Sequence, residues 1–161
     1  MKGLWSNSLA FKFFLSFLAI VALLSASFYF YAVAVIEDLH ISALSARMER
    51  EARVVAANLS LGLVGALLDD VARRFADQLD ARVTVIALDG RVLGDSAESS
   101  AAMENHAQRP EVVEALTQGS GSAIRYSTTV GYDLLYRAVV YDYGLQKGIV
   151  RLAVPLAGIG K

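Results

Sequence analysis

The chain has 161 residues, of which 55% are hydrophobic, and it carries 15 basic and 16 acidic side chains and no cysteine. The balanced charge excludes the basic surface that a nucleic-acid binder needs, and the missing cysteine excludes disulfides, thiolate chemistry and cysteine-based zinc sites. Because 27 of the first 36 residues but only 62 of the other 125 are hydrophobic, the composition predicts one membrane segment joined to one soluble domain with a single core.

The membrane segment is an uncharged run of 24 residues, 13–36. As a helix it is long enough to span a hydrocarbon core of about 30 Å. A cleavable signal peptide has a shorter apolar region, so cleavage near the small residues Ser25–Ser27 is the alternative. Two lysines precede the run and a Glu-Asp pair follows it. The positive-inside rule therefore predicts that residues 1–12 are cytoplasmic and that residues 37–161 are extracytoplasmic.

A helical pattern follows the membrane segment. Apolar residues recur at spacings of three and four from Ile41 to Leu59, with charged residues between them, which is typical of an amphipathic helix. No proline or glycine interrupts residues 4–61, so this helix and the membrane helix are predicted to be continuous. The apolar stripe is expected to pack on the domain's own sheet, on a dimer mate, or on both. A second pattern over residues 64–80 completes a helical stalk, residues 37–80.

The pattern changes to that of strands after residue 80. Two apolar runs flank an Asp-Gly pair and predict a hairpin over residues 82–94, because Asp-Gly supplies the positive φ angles that a two-residue turn requires. A short peripheral helix is predicted to start at Pro110. The later strands are predicted at residues 122–130, 134–141 and 147–154. Short links predict a five-stranded antiparallel sheet over residues 81–156, with two long helices covering one face of an α+β domain.

Motifs for catalysis are missing, since the sequence has no H-E-x-x-H, P-loop, G-x-S-x-G or EF-hand pattern. No catalytic residue, metal site or cofactor is therefore predicted in these residues. The two histidines, His40 and His106, are 66 positions apart and are not expected to share a metal. His106 lies in a polar loop and is expected to be exposed, with a pH-sensitive or ligand-contacting role as the alternative.

Four aspartates cluster on and beside the second helix: Asp69, Asp70, Asp77 and Asp80. A divalent cation would bind there only if their carboxylates converged. Two arginines, Arg73 and Arg74, lie between them, so we expect a solvated helix face with salt bridges instead of a metal site.

Two arginines and two tyrosines on neighbouring predicted strands are candidate ligand-binding residues: Arg125, Tyr126, Tyr136 and Arg137. They could line a small anion-binding concavity, to which His106 in the polar loop could contribute. Strand alternation places the members of each pair on opposite faces, so at most half of the four can share a pocket. The competing interpretation places the tyrosines in the core and the arginines in solvent.

A series of short motifs runs in order through the predicted sheet. In chain order the motifs are Arg82-Val-Thr-Val-Ile, Asp89-Gly-Arg-Val-Leu, Asp95-Ser, Met103-Glu-Asn-His106, Arg109-Pro-Glu-Val112, Gly119-Ser-Gly, Arg125-Tyr-Ser, Leu135-Tyr-Arg-Ala and Val150-Arg-Leu-Ala-Val-Pro-Leu156. The series resembles the extracytoplasmic sensor region of bacterial phosphate-regulon-type sensor histidine kinases. This resemblance implies a PAS-like or single Cache fold that lies between two helices of the bacterial inner membrane and acts as a homodimer.

The same resemblance implies a longer protein. Its phosphoacceptor-histidine helix and ATP-binding domain would follow these residues, so ATP-dependent autophosphorylation and contact with a response regulator would belong to that later part. Residues 157–161 would begin the second membrane segment. In this family, regulation runs through a phosphate transporter and its accessory protein, so other membrane or envelope proteins are expected partners.

Two other interpretations stay open. The same sensor could serve a chemoreceptor signalling rod or a nucleotide cyclase, or the chain could be a membrane-anchored extracytoplasmic binding or assembly protein. The polar segment between Gly94 and Pro110 is the candidate lid over the sheet. Because this segment is short, sensing through protein partners competes with the binding of a small ligand.

Overall fold

The computed structural model describes residues 9–59, 65–127, 131–144 and 147–156. The chain divides into two compact units between Ile41 and Ser42. Residues 157–161, predicted to begin a second membrane segment, and most of the predicted cytoplasmic N-terminus lie outside the described residues.

The first unit is helical and apolar. Its residues from Leu9 onward belong to helix α1, which spans Leu9–Ala57. By length and composition, the helical stretch that starts at Phe11 can cross a membrane, with a mean hydropathy of 2.2 over an 18-residue window. Large apolar side chains such as Phe13 and Phe30 are exposed, as expected of a helix that faces lipid.

The second unit contains an antiparallel sheet of five strands in the order β2-β1-β5-β4-β3. The strands are β1 (Arg82–Ile86), β2 (Val92–Asp95), β3 (Ser120–Ser127), β4 (Tyr132–Asp142) and β5 (Lys147–Pro155). All neighbouring pairs are antiparallel, which confirms the predicted α+β architecture. Each strand begins within two residues of its predicted start, and residues 128–130 of the predicted third strand lie outside the described part of the chain.

The turn between β1 and β2 differs from the predicted two-residue turn. The amide of Gly90 donates to the carbonyl of Ala87 at 2.9 Å. Of the Asp-Gly pair, only Gly90 has a positive φ, 85°. The amide of Ala87 donates to the carbonyl of Arg91 at 2.8 Å, so the loop has three residues, 88–90, one more than predicted. The pairing register also shifts between Val85 and Ile86, which places a bulge in the β1–β2 ladder itself.

Helices α1 and α2, the latter spanning Ala66–Leu79, cover one face of the sheet. Met48, Ala52 and Val55 of the apolar stripe in α1 are fully buried there, so this stripe packs on its own sheet and its role in a dimer stays a prediction. The buried core on this face consists of Met48, Ala52, Val55, Ala56, Ala72, Val83, Leu135, Val139, Tyr141, Val150 and Leu152.

Helix α3, Pro110–Gln118, packs on the opposite face. The prediction that this helix is peripheral is wrong, because Val112 and Ala115 are fully buried. These two residues lie three positions apart and therefore share one side of the helix. They join a second apolar cluster with Ile86, Ala138 and Ile149 of the sheet.

Gly121 of β3 lies directly against α3. A Cβ atom there would collide with the backbone oxygen of Glu111 and lie 2.7 Å from the backbone nitrogen of Ala115. Because backbone atoms cannot rotate away, α3 would have to move. We expect Gly121→Ala to lower the free energy of unfolding by roughly 1–3 kcal/mol, measured by urea unfolding of the intact chain in detergent with circular dichroism. The neighbouring Ser122→Ala is the control, and an equal, small loss in both variants would contradict this packing.

Candidate ligand-binding site

A cavity of about 340 Å³ lies between the second face of the sheet and the segment that connects β2 to α3. Every strand except β2 contributes to it. Its charged and aromatic lining residues are Arg82, Glu98, Glu104, His106, Arg109, Arg125, Tyr126, Tyr136 and Arg151. Arginines outnumber carboxylates in this lining, which favours an anionic group inside the cavity.

Buried ion pairs form one wall of the cavity. Glu111 of α3 is fully buried, and its Oε1 accepts hydrogen bonds from Arg125 at 2.9 Å and from Arg151 at 3.3 Å. Arg151 is only 4% exposed and also donates to the Thr84 hydroxyl at 3.1 Å. Burial lowers the pKa of Arg151, and the negative charge of Glu111 opposes that effect. The two arginines thus depend on one carboxylate that has no access to water.

Tyr136 lies between these two arginines. The guanidinium carbon of Arg125 is 4.1 Å from the centre of the Tyr136 ring, and that of Arg151 is 5.3 Å away. Cations over a ring face are attracted by its quadrupole. The ring therefore holds both guanidinium groups in place at the cavity wall.

A second buried carboxylate, Asp95, connects the sheet to the segment over the cavity. It pairs with Arg82 at 3.0 Å, accepts from the Thr84 hydroxyl at 2.7 Å, and accepts from the amides of Ala97 and Glu98 at 2.8 and 3.0 Å. Burial acts to raise the pKa of Asp95, but the hydrogen bonds from Arg82 and Thr84 outweigh it and hold the pKa below its ordinary value.

Asp69 of α2 corrects the prediction of a solvated acidic face. It is 4% exposed and accepts hydrogen bonds from the amides of Asp95 at 2.8 Å and Ser100 at 3.3 Å. Its neighbour Asp70 does follow the prediction, being exposed and paired with Arg73. In the described residues no group of three or more potential ligand side chains could hold a metal ion. Asp69 instead ties α2 to the segment over the cavity.

His106 is buried, contrary to the expectation of an exposed loop residue. It is 5% exposed, because its amide donates to the carbonyl of Gly90 at 2.7 Å and its carbonyl accepts from the amide of Arg109 at 3.0 Å. Burial, together with the nearby positive charge of Arg151, lowers the pKa of His106 to about 4. The ring is therefore neutral at pH 7.

Unused hydrogen-bonding atoms concentrate at this site. Among the described residues, the buried side-chain atoms without a partner include Nδ1 of His106, Oε2 of Glu111, and Nε of both Arg125 and Arg151. Three of these four residues line the cavity. Buried polar groups normally have partners, so unsatisfied hydrogen-bonding groups concentrate beside this cavity.

Comparison with known protein families identifies the family to which the fold belongs. Residues 38–155 match the single Cache-like family. The chain belongs to this family. The Cache part of the predicted fold is thereby confirmed, and the Cache-like domain is a sensory domain without a catalytic role of its own. No curated protein matches the sequence of the chain significantly.

Several solved structures share the fold of the Cache-like domain at low sequence identity. The sensory domain of the Campylobacter jejuni chemoreceptor Tlp3 with isoleucine bound has a TM-score of 0.56 at 13% identity, over 76% of this chain and 56% of that chain. An extracellular ligand-binding receptor from Desulfohalobium retbaense has a TM-score of 0.58 at 14% identity, over 78% of this chain and 25% of that one. The Bacillus subtilis YkuI protein, which carries an EAL domain, has a TM-score of 0.57 at 14% identity, over 83% of this chain and 38% of that chain. The chain thus spans little more than half of the Tlp3 chains.

The Cache-like domain brings together most of the candidate residues named from the sequence. Arg125, Tyr126, Tyr136 and His106 all line the cavity, although Tyr126 is 64% exposed. The prediction that at most half of the four strand residues can share a pocket is therefore wrong, because Tyr126 lies on the edge strand β3 and its exposed ring also borders the cavity. Arg137 lies on the other face of the sheet, as strand alternation requires. Its side chain donates to three partners there: Glu49 and Ser45 of α1 and Ser120 of β3.

Seven charged residues of the site were not predicted: Arg82, Asp95, Glu98, Glu104, Arg109, Glu111 and Arg151. Arg151 carries the clearest overlooked signal, because it is a charged residue within the otherwise apolar run Ile149–Val154. A charge in a buried strand needs a partner. Its partner Glu111 lies in the first turn of α3, where a carboxylate is common and does not by itself indicate a buried ion pair.

Proposed function

We propose that the Cache-like domain is an extracytoplasmic sensor that binds a small organic anion in the cationic cavity. The observation that carries this proposal is the charge of the lining, in which four arginines, Arg82, Arg109, Arg125 and Arg151, face the cavity with two carboxylates. A carboxylate would accept from two of these guanidinium groups, and such charge-assisted hydrogen bonds are the strong ones. Arg109, also in the lining, would add a further positive charge at the entrance to α3.

Ligand-induced thermal shift of the intact chain in detergent tests this proposal. The panel contains acetate, lactate, succinate, inorganic phosphate and sulfate. A ligand at a free concentration of 100 times its Kd raises the free energy of unfolding of the domain by about 2.7 kcal/mol, and Tm rises by several degrees. Because a hydrogen bond to a charged group contributes about 1.5–3 kcal/mol, Arg125→Gln is expected to weaken binding by at least tenfold. The exposed Arg91→Gln is the matched control, and equal binding by both variants would refute the site.

An amino acid is the second candidate ligand. Glu98 and Glu104 line the same cavity as the arginines, so an ammonium and a carboxylate group could both find opposite charges. The sensory domain of Tlp3 is described with isoleucine bound, which supports this class. Comparing L-isoleucine with 3-methylpentanoate, which lacks the amino group, separates the candidates. Tighter binding of the amino acid favours the zwitterion, and tighter binding of 3-methylpentanoate favours the simple anion.

The output is proposed to be a two-component histidine kinase of the phosphate-regulon type. The ordered motifs from Arg82 to Leu156 support this assignment, whereas the likeness to Tlp3 supports a chemoreceptor as the alternative. A second apolar run and a kinase core encoded after Lys161 would support the kinase. A chemoreceptor signalling rod or a cyclase there would refute it. In either case a homodimer is proposed to pass the stimulus through α1, which is continuous from Leu9 to Ala57.

Orientation in the bacterial inner membrane can be tested directly because the chain has no cysteine. The proposal places the N-terminus in the cytoplasm and the Cache-like domain outside. A cysteine at the exposed Ser99 is therefore expected to react with a membrane-impermeant maleimide on intact spheroplasts. A cysteine at Ser6 should react only after lysis, and the reverse pattern would overturn the orientation.

A further inference from the structure

His106 combines a fixed backbone with an unused ring atom. Its amide and carbonyl are both hydrogen-bonded, to Gly90 at 2.7 Å and Arg109 at 3.0 Å, while its buried Nδ1 has no partner in the described residues. The residue is 5% exposed and lines the cavity. A neutral imidazole can donate from only one of its two nitrogens, whereas the imidazolium donates from both. The protonation state of this ring therefore decides both its charge at the cavity wall and how many hydrogen bonds it can donate.

Arginines outnumber carboxylates among the charges that act on the ring: Arg151, Arg109 and Arg82 lower its pKa, and Asp95 raises it. Arg125, Glu98 and Glu104 line the same cavity, and Glu111 of α3 pairs with Arg125 and Arg151. Asp95 is held by Arg82 and Thr84 and offsets only part of this charge. With the cavity empty, burial and the arginines keep the pKa of His106 at about 4. An anion in the cavity would reverse the local balance of charge.

We propose that the cavity binds its anion together with a proton, and that His106 is the group that takes up this proton. The proton comes from solvent, the neutral ring becomes an imidazolium, and its newly protonated nitrogen donates a hydrogen bond to the anion. This inference rests on the proposed function, since it requires that an anion occupy the cavity. It makes His106 a determinant of ligand choice, because a neutral ligand would gain nothing from the proton.

The direction of the pH dependence follows from linkage. A bound anion raises the pKa of His106, so the complex binds one more proton than the empty domain at intermediate pH, and lower pH strengthens binding. If the pKa in the complex is about 6, affinity rises about tenfold from pH 7.5 to pH 5. Sulfate is the suitable probe, because its own charge does not change across this range.

Isothermal titration of sulfate into the intact chain in detergent tests the inference at pH 5, 6 and 7.5. Wild-type chain and His40→Gln, which removes the other histidine, are expected to bind about tenfold more tightly at pH 5 than at pH 7.5. His106→Gln keeps a polar side chain but cannot take up the proton, so its affinity is expected to change less than threefold. The carboxylates that titrate over this pH range are unchanged in His106→Gln. The pH dependence of affinity that remains in this variant therefore measures their contribution.

Histidine NMR of the His40→Gln chain supplies a second measurement that needs no change at His106. The single remaining histidine signal is expected to titrate near pH 4 without sulfate and at least one pH unit higher with saturating sulfate. The proton uptake alone is overturned if sulfate binds with equal pH dependence to wild type and His106→Gln. It is also overturned if sulfate does not move the midpoint of the histidine titration. No sulfate binding at any pH also overturns the proton uptake, whereas no stabilisation by any anion of the thermal-shift panel overturns the proposed anion site itself, so the two failures are distinguishable.

Discussion

Replacing Glu111 by alanine is expected to lower the free energy of unfolding by about 3–5 kcal/mol. The loss is large because Glu111 is fully buried and is shared by Arg125 and Arg151. Without it, Arg151 would keep its charge at 4% exposure, and among the described residues it would have one hydrogen-bond partner, the Thr84 hydroxyl, beside the Tyr136 ring. Uncompensated buried charge is among the few causes of so large an effect from one substitution. Urea unfolding of the intact chain in detergent, followed by circular dichroism, provides the measurement.

Two variants make this prediction specific. Glu104→Ala removes an exposed carboxylate from the lining of the same cavity and is expected to change stability by less than about 0.5 kcal/mol. The double variant Glu111→Leu, Arg151→Met removes both buried charges, so its loss should be smaller than that of Glu111→Ala alone. A loss below about 1 kcal/mol in Glu111→Ala would mean that the pair is not the structural centre of the site.

Periodicity alone was sufficient to predict the architecture. Apolar residues recur at helical spacing from Ile41 to Leu59 and at strand spacing after residue 80, because each element buries one of its faces. The elements and their order along the chain therefore follow from the sequence. The β1–β2 turn did not follow. A local Asp-Gly pair cannot report that the register shifts between Val85 and Ile86, because the shift depends on how the whole loop packs.

From the sequence, the site could be predicted only where it depends on which face of a strand a side chain occupies. Alternation correctly separates Arg137 from Arg125 and Tyr136, but it does not predict that Tyr126, next to Arg125 on the edge strand, also lines the cavity. The buried pair of Glu111 and Arg151 joins residues 40 positions apart on a helix and a strand, and no local pattern brings them together. Likewise His106 is buried by packing of an irregular polar segment, whose sequence is that of a solvated loop.

Asp69→Ala is expected to be the second strongly destabilising substitution, with a loss of about 2–4 kcal/mol. The carboxylate accepts hydrogen bonds from the amides of Asp95 and Ser100, and the shortened side chain would leave both buried amide groups without an acceptor. Each buried donor left unsatisfied costs about 1–3 kcal/mol. Asp69→Ala removes the hydrogen bonds that attach residues 95–100 to α2. Amide hydrogen exchange in these residues is therefore expected to become faster under conditions in which the domain as a whole stays folded.

Asp70→Ala is the matched control for this prediction. It removes the neighbouring aspartate of the same helix, but Asp70 is exposed and makes only a surface ion pair with Arg73, which contributes at most about 1 kcal/mol. Asp69→Asn should fall between the two, since its amide oxygen can still accept one of the hydrogen bonds. Because the same segment carries Glu98, Glu104 and His106, Asp69→Ala should also weaken sulfate binding at pH 5. Equal stability and exchange in Asp69→Ala and Asp70→Ala would show that α2 does not hold the segment over the cavity.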